Sequence, residues 1–212
     1  KYFCGKPIIV WSIETASASN CFDKIIVSTD DDEIATISKN SGVEVPFSRP
    51  ANLSGDYSDT ISVIRHAINW IEKHKLKPEY VCCIYPTAPF MLEKDLKAGL
   101  KKIIKLKKNF VFSATTYAFP IQRAFKINQN EEVEMFYPDN FATRSQDLES
   151  ALHDAGQFYW GRTTAWLNCE SIFTRESSPL ILPRYRVQDI DTIEDWAKAE
   201  MQFKALRLLE NA

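Results

Sequence analysis

No apolar run in these 212 residues is long enough to cross a bilayer, and no signal peptide opens the chain. No helical membrane span is therefore expected. The five cysteines, Cys4, Cys21, Cys82, Cys83 and Cys169, form an odd set without metal-type spacing. That argues against a disulfide framework and for a reduced, cytoplasmic protein. His66, His74 and His153 have no partner at ligand spacing. The net charge of -2 gives no global attraction to nucleic acid or to an anionic membrane. The local run Lys101, Lys102, Lys105, Lys107 and Lys108 reads as the solvated face of a helix. Internal repeats and low-complexity segments are absent too.

What remains is an ordinary globular mix, 45% hydrophobic and 25% charged, at a length that suits one domain. Apolar runs at 24–29 and 80–84, a short one at 43–47 and another at 110–115 read as strands. Between them lie segments with helical spacing: one from Pro7 through Ala16, one from Asp30–Asp32 to Gly42, one carrying Ile61, Ile64, Ile68 and Ile71, and one over 93–108. Ser58 or Asp59 is the candidate cap of the third. This alternation predicts an α/β fold with a mainly parallel sheet. Ligands in such sheets bind beyond the carboxyl ends of the strands. The loops after Thr29, Phe47, Ile84 and Thr115 should therefore share one rim.

The pattern changes over 117–150. Residues 125–127 and 133–136, joined by Asn128-Gln129-Asn130, predict a hairpin in an inserted subdomain. Phe119, Phe125, Phe136, Tyr137 and Phe141 give it more aromatic surface than a hairpin can bury, which suits a dimer contact. A strand over 156–160, a short helix over 163–169 and a closing helix over 192–209 complete the chain.

Arg184-Tyr185-Arg186-Val187-Gln188-Asp189-Ile190-Asp191-Thr192 carries the chemistry. Read as a strand, it puts Asp189 and Asp191 on one face. Paired carboxylates with room for water and phosphate suit Mg²⁺, and the basic residues upstream suit an anion. The plainer alternative is a strand end whose Asp191 caps the last helix.

Ile26-Val27-Ser28-Thr29-Asp30, Arg49-Pro50-Ala51-Asn52-Leu53-Ser54, Tyr85-Pro86-Thr87-Ala88-Pro89 and Gln188-Asp189-Ile190-Asp191, in that order, resemble the motifs of the CMP-sialic acid synthetases. These are cytidylyltransferases acting on nine-carbon 2-keto sugar acids. Ser145-Gln146-Asp147-Leu148 and His153-Asp154-Ala155-Gly156-Gln157-Phe158-Tyr159-Trp160 are most similar to the branch that acts on pseudaminic acid. The resemblance implies a glycosyltransferase-A-like three-layer α/β sandwich and a homodimer formed through the insertion. It implies CTP as co-substrate and Mg²⁺ as cofactor, held by Asp189 and Asp191 at the triphosphate. Arg49, Ser58, Thr60, Pro86 and Thr87 would surround the nucleotide. Tyr85, Arg144, Gln146, Asp154, Gln157 and Tyr159 would contact the sugar acid.

In that family a strand and a glycine- and arginine-rich loop come before the stretch matched by Lys1-Tyr2-Phe3-Cys4-Gly5-Lys6-Pro7, so they would precede Lys1. Tyr85 and Ala88 stand where the sialic acid enzymes usually place Gln and Ser, which points away from N-acetylneuraminic acid. Synthetases for N-acetylneuraminic, legionaminic or 3-deoxy-manno-octulosonic acid remain the alternative, as does a non-catalytic sugar- or nucleotide-binding module. No side chain stands out as an independent general base.

Overall fold

The computed structural model describes residues 1–55, 57–168 and 171–210. Asp56, in the expected polar loop, and Cys169, at the end of the expected helix over 163–169, lie outside the described residues. In chain order the elements are β1 (Tyr2–Phe3), β2 (Lys6–Pro7), α1 (Ile8–Ser19), α2 (Asp32–Asn40), α3 (Thr60–Lys73), β3 (Tyr80–Ile84) and α4 (Glu93–Leu106). Then follow β4 (Phe110–Thr116), β5 (Phe125–Ile127), β6 (Val133–Met135), β7 (Leu152–Arg162), α5 (Thr163–Asn168), β8 (Ser177–Ile181) and α6 (Ile193–Glu210).

The main sheet has the order β3-β7-β4-β8. β3 and β4 both run antiparallel to β7, and β8 runs parallel to β4. Hence β3, β4 and β8 point one way, and the sheet is mixed because β7 is reversed. The reversal has a simple cause. β7 is reached from the end of β4 through the insertion, not through a crossover helix, so it comes back along its neighbour. At the root of the insertion Tyr117 N donates to Ala151 O at 3.2 Å.

Both faces of the sheet are covered, which accounts for the near-continuous apolar strands. Cys83, Phe110 and Tyr159 pack with Ile68 of α3 and Trp166 of α5. Their chain neighbours Cys82, Val111 and Trp160 face Leu96 and Ile103 of α4. A three-layer sandwich follows directly from this alternation. Gly99 is what lets α4 come close: a Cβ there would lie 2.7 Å from Trp160 Cδ1. A third cluster joins α1 to α6 through Phe3, Ile8, Ala199 and Phe203.

The structure adds to or departs from the sequence reading at three places. Residues 24–29 and 43–47 form no named strand; they meet only at the parallel bridges Ile26–Glu44 and Thr29–Ser48. Between the bridges two residues on one side oppose three on the other, and Pro46 among the three has no N–H for a ladder. Ser177–Ile181 is a strand despite Pro179, a residue tolerated at a sheet edge. The third change affects the chemistry. Arg184–Arg186 is a 3-10 turn after Pro183, and 187–191 runs irregularly into α6. The expected strand carrying Asp189 and Asp191 is not formed. Asp191 is not the cap either, since Thr192 Oγ1 accepts from Asp195 N at 3.1 Å and Asp195 Oδ2 accepts from Thr192 N at 3.0 Å.

The expected hairpin is present as β5 and β6. Phe119 is 82% exposed and Phe141 70%, so the aromatic surface of the insertion is uncovered within one chain.

Candidate active site

The common direction of β3, β4 and β8 brings their carboxyl ends to one rim, where β7 begins. After β3, Tyr85 N donates to Gln157 O at 3.0 Å, keeping the loop in register with β7. Ser12 of α1 donates its hydroxyl to Tyr85 O at 2.9 Å. Beyond the tip, Ala88 and Phe90 are buried. Only Pro86 and Thr87 are left exposed, on a loop held at both ends. Thr60, at the start of α3, shares a 2.9 Å hydrogen bond with the Tyr85 hydroxyl. Thr60 is thus joined to the loop that carries Tyr85, Pro86 and Thr87. Ser58 lies just before it, with its N–H on Gly55 O at 3.0 Å.

Arg49 is placed by the bridge beside it, where its own N–H meets Thr29 O at 2.9 Å. Its Nη2 pairs with Asp30 Oδ1 at 3.1 Å. That hydrogen bond holds the Asp30 carboxyl below the usual carboxylate range. Arg49 Nε is buried and has no partner, leaving donor capacity for a ligand acceptor. Asp30 is a neighbour the sequence reading missed. Its position at the end of the run Ser28-Thr29-Asp30 was the available signal.

On β7 the picture is different. From the Phe112–Tyr159 pair to the Ala114–Asp154 pair, β7 advances five residues and β4 only two. β7 therefore arches over 155–158. Gly156 takes φ +60 there, and Ser113 Oγ accepts from both Gln157 N and Phe158 N at 3.2 Å. Asp154 stands at the start of the arch, partly exposed, with Oδ1 accepting from Gly156 N at 3.1 Å. Gln157 and Tyr159 were expected to contact the sugar acid, but each is 3% exposed. Gln157 Nε2 donates to Arg186 O at 2.6 Å, and the Tyr159 hydroxyl donates to Asp154 Oδ2. Both faces of β7 are covered by helices, so alternation cannot turn one face to a ligand. Burial, and then the Asp154 carboxylate, push the Tyr159 hydroxyl pKa up. These two residues support the site and do not line it.

Arg144 and Gln146 lie exposed in the insertion. Arg144 Nε pairs with Asp147 Oδ2 at 2.7 Å across a 3-10 turn. An exposed pair of this kind contributes little and exchanges readily for another anion.

Asp189 and Asp191 are exposed, and among the described residues neither makes an ion pair. Asp189 Oδ1 accepts from the neighbouring Ile190 N at 3.2 Å. Among the described residues no group of three or more His, Cys, Asp or Glu side chains could hold a metal. Two open, hard carboxylates fit an ion that takes its remaining ligands from water and phosphate, as Mg²⁺ does.

A family model described as cytidylyltransferase matches residues 1–203. The chain belongs to the cytidylyltransferase family. A pseudaminic acid cytidylyltransferase of Campylobacter jejuni is 43% identical over 202 residues, covering 95% of this chain and 87% of that protein. A CMP-N,N'-diacetyllegionaminic acid synthase of Legionella pneumophila is 26% identical, over 94% of this chain and 86% of that one. Among solved structures, a CMP:2-keto-3-deoxy-manno-octonic acid synthetase complexed with CTP has a TM-score of 0.66 at 14% identity, covering 99% of this chain and 91% of its own. That likeness shows a shared fold, which in this chain is an α/β sandwich around a mixed sheet.

Proposed function

We propose that the protein transfers CMP from CTP to the anomeric hydroxyl of pseudaminic acid, releasing pyrophosphate and forming CMP-pseudaminic acid. The observation that carries this reading is the 43% identity over nearly the whole chain to a protein of that name. The rim is consistent with it: Tyr85, Pro86 and Thr87 follow the carboxyl end of β3, and Thr60 is hydrogen-bonded to Tyr85.

In this reading the sugar hydroxyl attacks the α-phosphorus, and the bond to the pyrophosphate oxygen breaks. The chain's part is positioning and charge complementarity. Arg49 donates to the cytosine carbonyl, with Ser58 and Thr60 beside the base. Pro86 and Thr87 form the wall where nucleotide and sugar meet. Tyr85 and Asp154 face the sugar acid, and Arg144 trades Asp147 for its carboxylate, with Gln146 beside it. Asp189 and Asp191 would hold Mg²⁺, which when bound neutralises charge on the phosphates.

The exposed aromatic residues of the insertion are assigned to a homodimer contact. The expected setting is cytoplasmic; among the described residues no helix is long and apolar enough to cross a membrane. The test is pyrophosphate release from CTP with each candidate sugar acid in turn.

A further inference from the structure

Asp95 and Arg186 are 6% and 8% exposed, and they form a two-pronged ion pair. Arg186 Nη2 meets Asp95 Oδ1 at 3.1 Å, and Nη1 meets Oδ2. Nη1 also reaches Phe90 O at 3.5 Å. Asp95 Oδ2 accepts in addition from Leu92 N at 3.1 Å. The pair therefore grips the chain at 90–95, immediately after the rim loop that carries Tyr85, Pro86 and Thr87. On its other side it grips the segment that leads to Asp189 and Asp191. Arg186 O is taken as well, by Gln157 Nε2 from the arch of β7.

A buried ion pair is a poor stabiliser compared with apolar side chains of the same volume, because both charges lose water. A fork-to-carboxylate pair does, however, fix direction and distance. Here it fixes three parts of the rim against one another: the start of α4, the arch of β7 and the turn before the carboxylates. Thr192 and Asp195, with their reciprocal cap, hold the far side. Asp189 and Asp191 lie on the short span between two clamped points.

We propose that Asp95 and Arg186, with Gln157, are positioning residues that set the acidic loop at 187–191 against the nucleotide rim. The inference rests on the reading of Asp189 and Asp191 as the divalent-ion ligands. It goes beyond that reading by assigning their placement to a charge pair that touches no reactant.

The test compares the double variant Asp95→Leu/Arg186→Met with Asp191→Asn and with the native protein. Amide exchange over 187–191 reports loop order. Mn²⁺ binding, followed by electron paramagnetic resonance in the presence of CTP, reports the ion site. The double variant replaces both charges with apolar side chains, so it is expected to fold with a native circular dichroism spectrum. It should exchange 187–191 at least tenfold faster and bind Mn²⁺ at least tenfold more weakly. Arg186→Lys keeps the charge but loses the fork, and should fall between. It also serves if the double variant does not fold. Asp191→Asn should lose Mn²⁺ with native exchange over 187–191. Native exchange and native Mn²⁺ affinity in a folded double variant or in Arg186→Lys would overturn the proposal. Native Mn²⁺ affinity in Asp191→Asn would overturn the ion-ligand reading instead, and exchange alone would then decide the positioning role.

Discussion

Tyr85 and Thr60 lie 25 positions apart and share a 2.9 Å hydrogen bond between their hydroxyls. The bond ties the first turn of α3 to the loop after β3. In the proposed reading one residue lies at the nucleotide and the other at the sugar, and this contact would couple the two halves of the site. Thr60→Val and Tyr85→Phe should each cost about 0.5–1.5 kcal/mol of stability. In a double-mutant cycle their effects should be non-additive by about 1 kcal/mol. Strict additivity in denaturant unfolding would show that the bond does not form in solution.

The carboxylates of the acidic loop give a second prediction. Asp191→Asn preserves shape on an exposed residue, so folding should be unaffected. Turnover with CTP and Mg²⁺ should fall by orders of magnitude, because the ion acts on the transferring phosphate. Initial rates across a Mg²⁺ series decide it, and near-native turnover contradicts the assignment.

Alkaline stability should depend on the covered sheet. Burial pushes the Cys83 thiol up to about 12, and burial with the Asp154 carboxylate pushes the Tyr159 hydroxyl up further. Both groups have folded pKa values above their unfolded ones. Their contribution is complete below the unfolded pKa values, about 8.5 for Cys and 10 for Tyr, and is lost as pH rises above them. Tm should therefore decline from about pH 9 upward, and more steeply above pH 10. In Tyr159→Phe the slope above pH 10 should flatten. An unchanged slope, read by scanning calorimetry, would show that Tyr159 is accessible to solvent.

Self-association should depend on the insertion. Phe119, Phe125, Phe136, Tyr137 and Phe141 are all exposed in the single chain. Sedimentation at micromolar concentration should give a dimer, and Phe119→Asp with Phe141→Asp should give a folded monomer. A native protein that sediments as a monomer contradicts this role for the surface.

Much of this architecture was legible in the sequence because it depends on local pattern. Ile61, Ile64 and Ile68 recur at helical spacing and pack on the sheet. Cys82 and Cys83, adjacent on an expected strand, pack into the clusters on opposite faces of the sheet. The alternation of strands and helices placed the loop with Tyr85, Pro86 and Thr87 at a strand end, whereas the roles of these residues and of Thr60 came from the family resemblance. What was not legible depended on tertiary pairing. Gln157 and Tyr159 lie two residues apart on an expected strand, but nothing in a single strand tells that helices cover both its faces. The arch of β7 comes from a mismatch with β4 that only the pairing reveals. Pro183 turns the segment before the carboxylates into a 3-10 turn, and so breaks the expected strand. Asp95 sits in the first turn of α4, and nothing local points to its partner Arg186, which lies 91 positions away.

The central claim concerns the acceptor, and one measurement tests it directly: kcat/KM for pyrophosphate release from CTP, with pseudaminic acid and with N-acetylneuraminic acid as competing acceptors. A site that leaves a polar group unpaired on the wrong sugar loses about 1–3 kcal/mol per contact, or roughly tenfold or more in rate. The account predicts a preference of at least about tenfold for pseudaminic acid. Equal or better use of N-acetylneuraminic acid would contradict it.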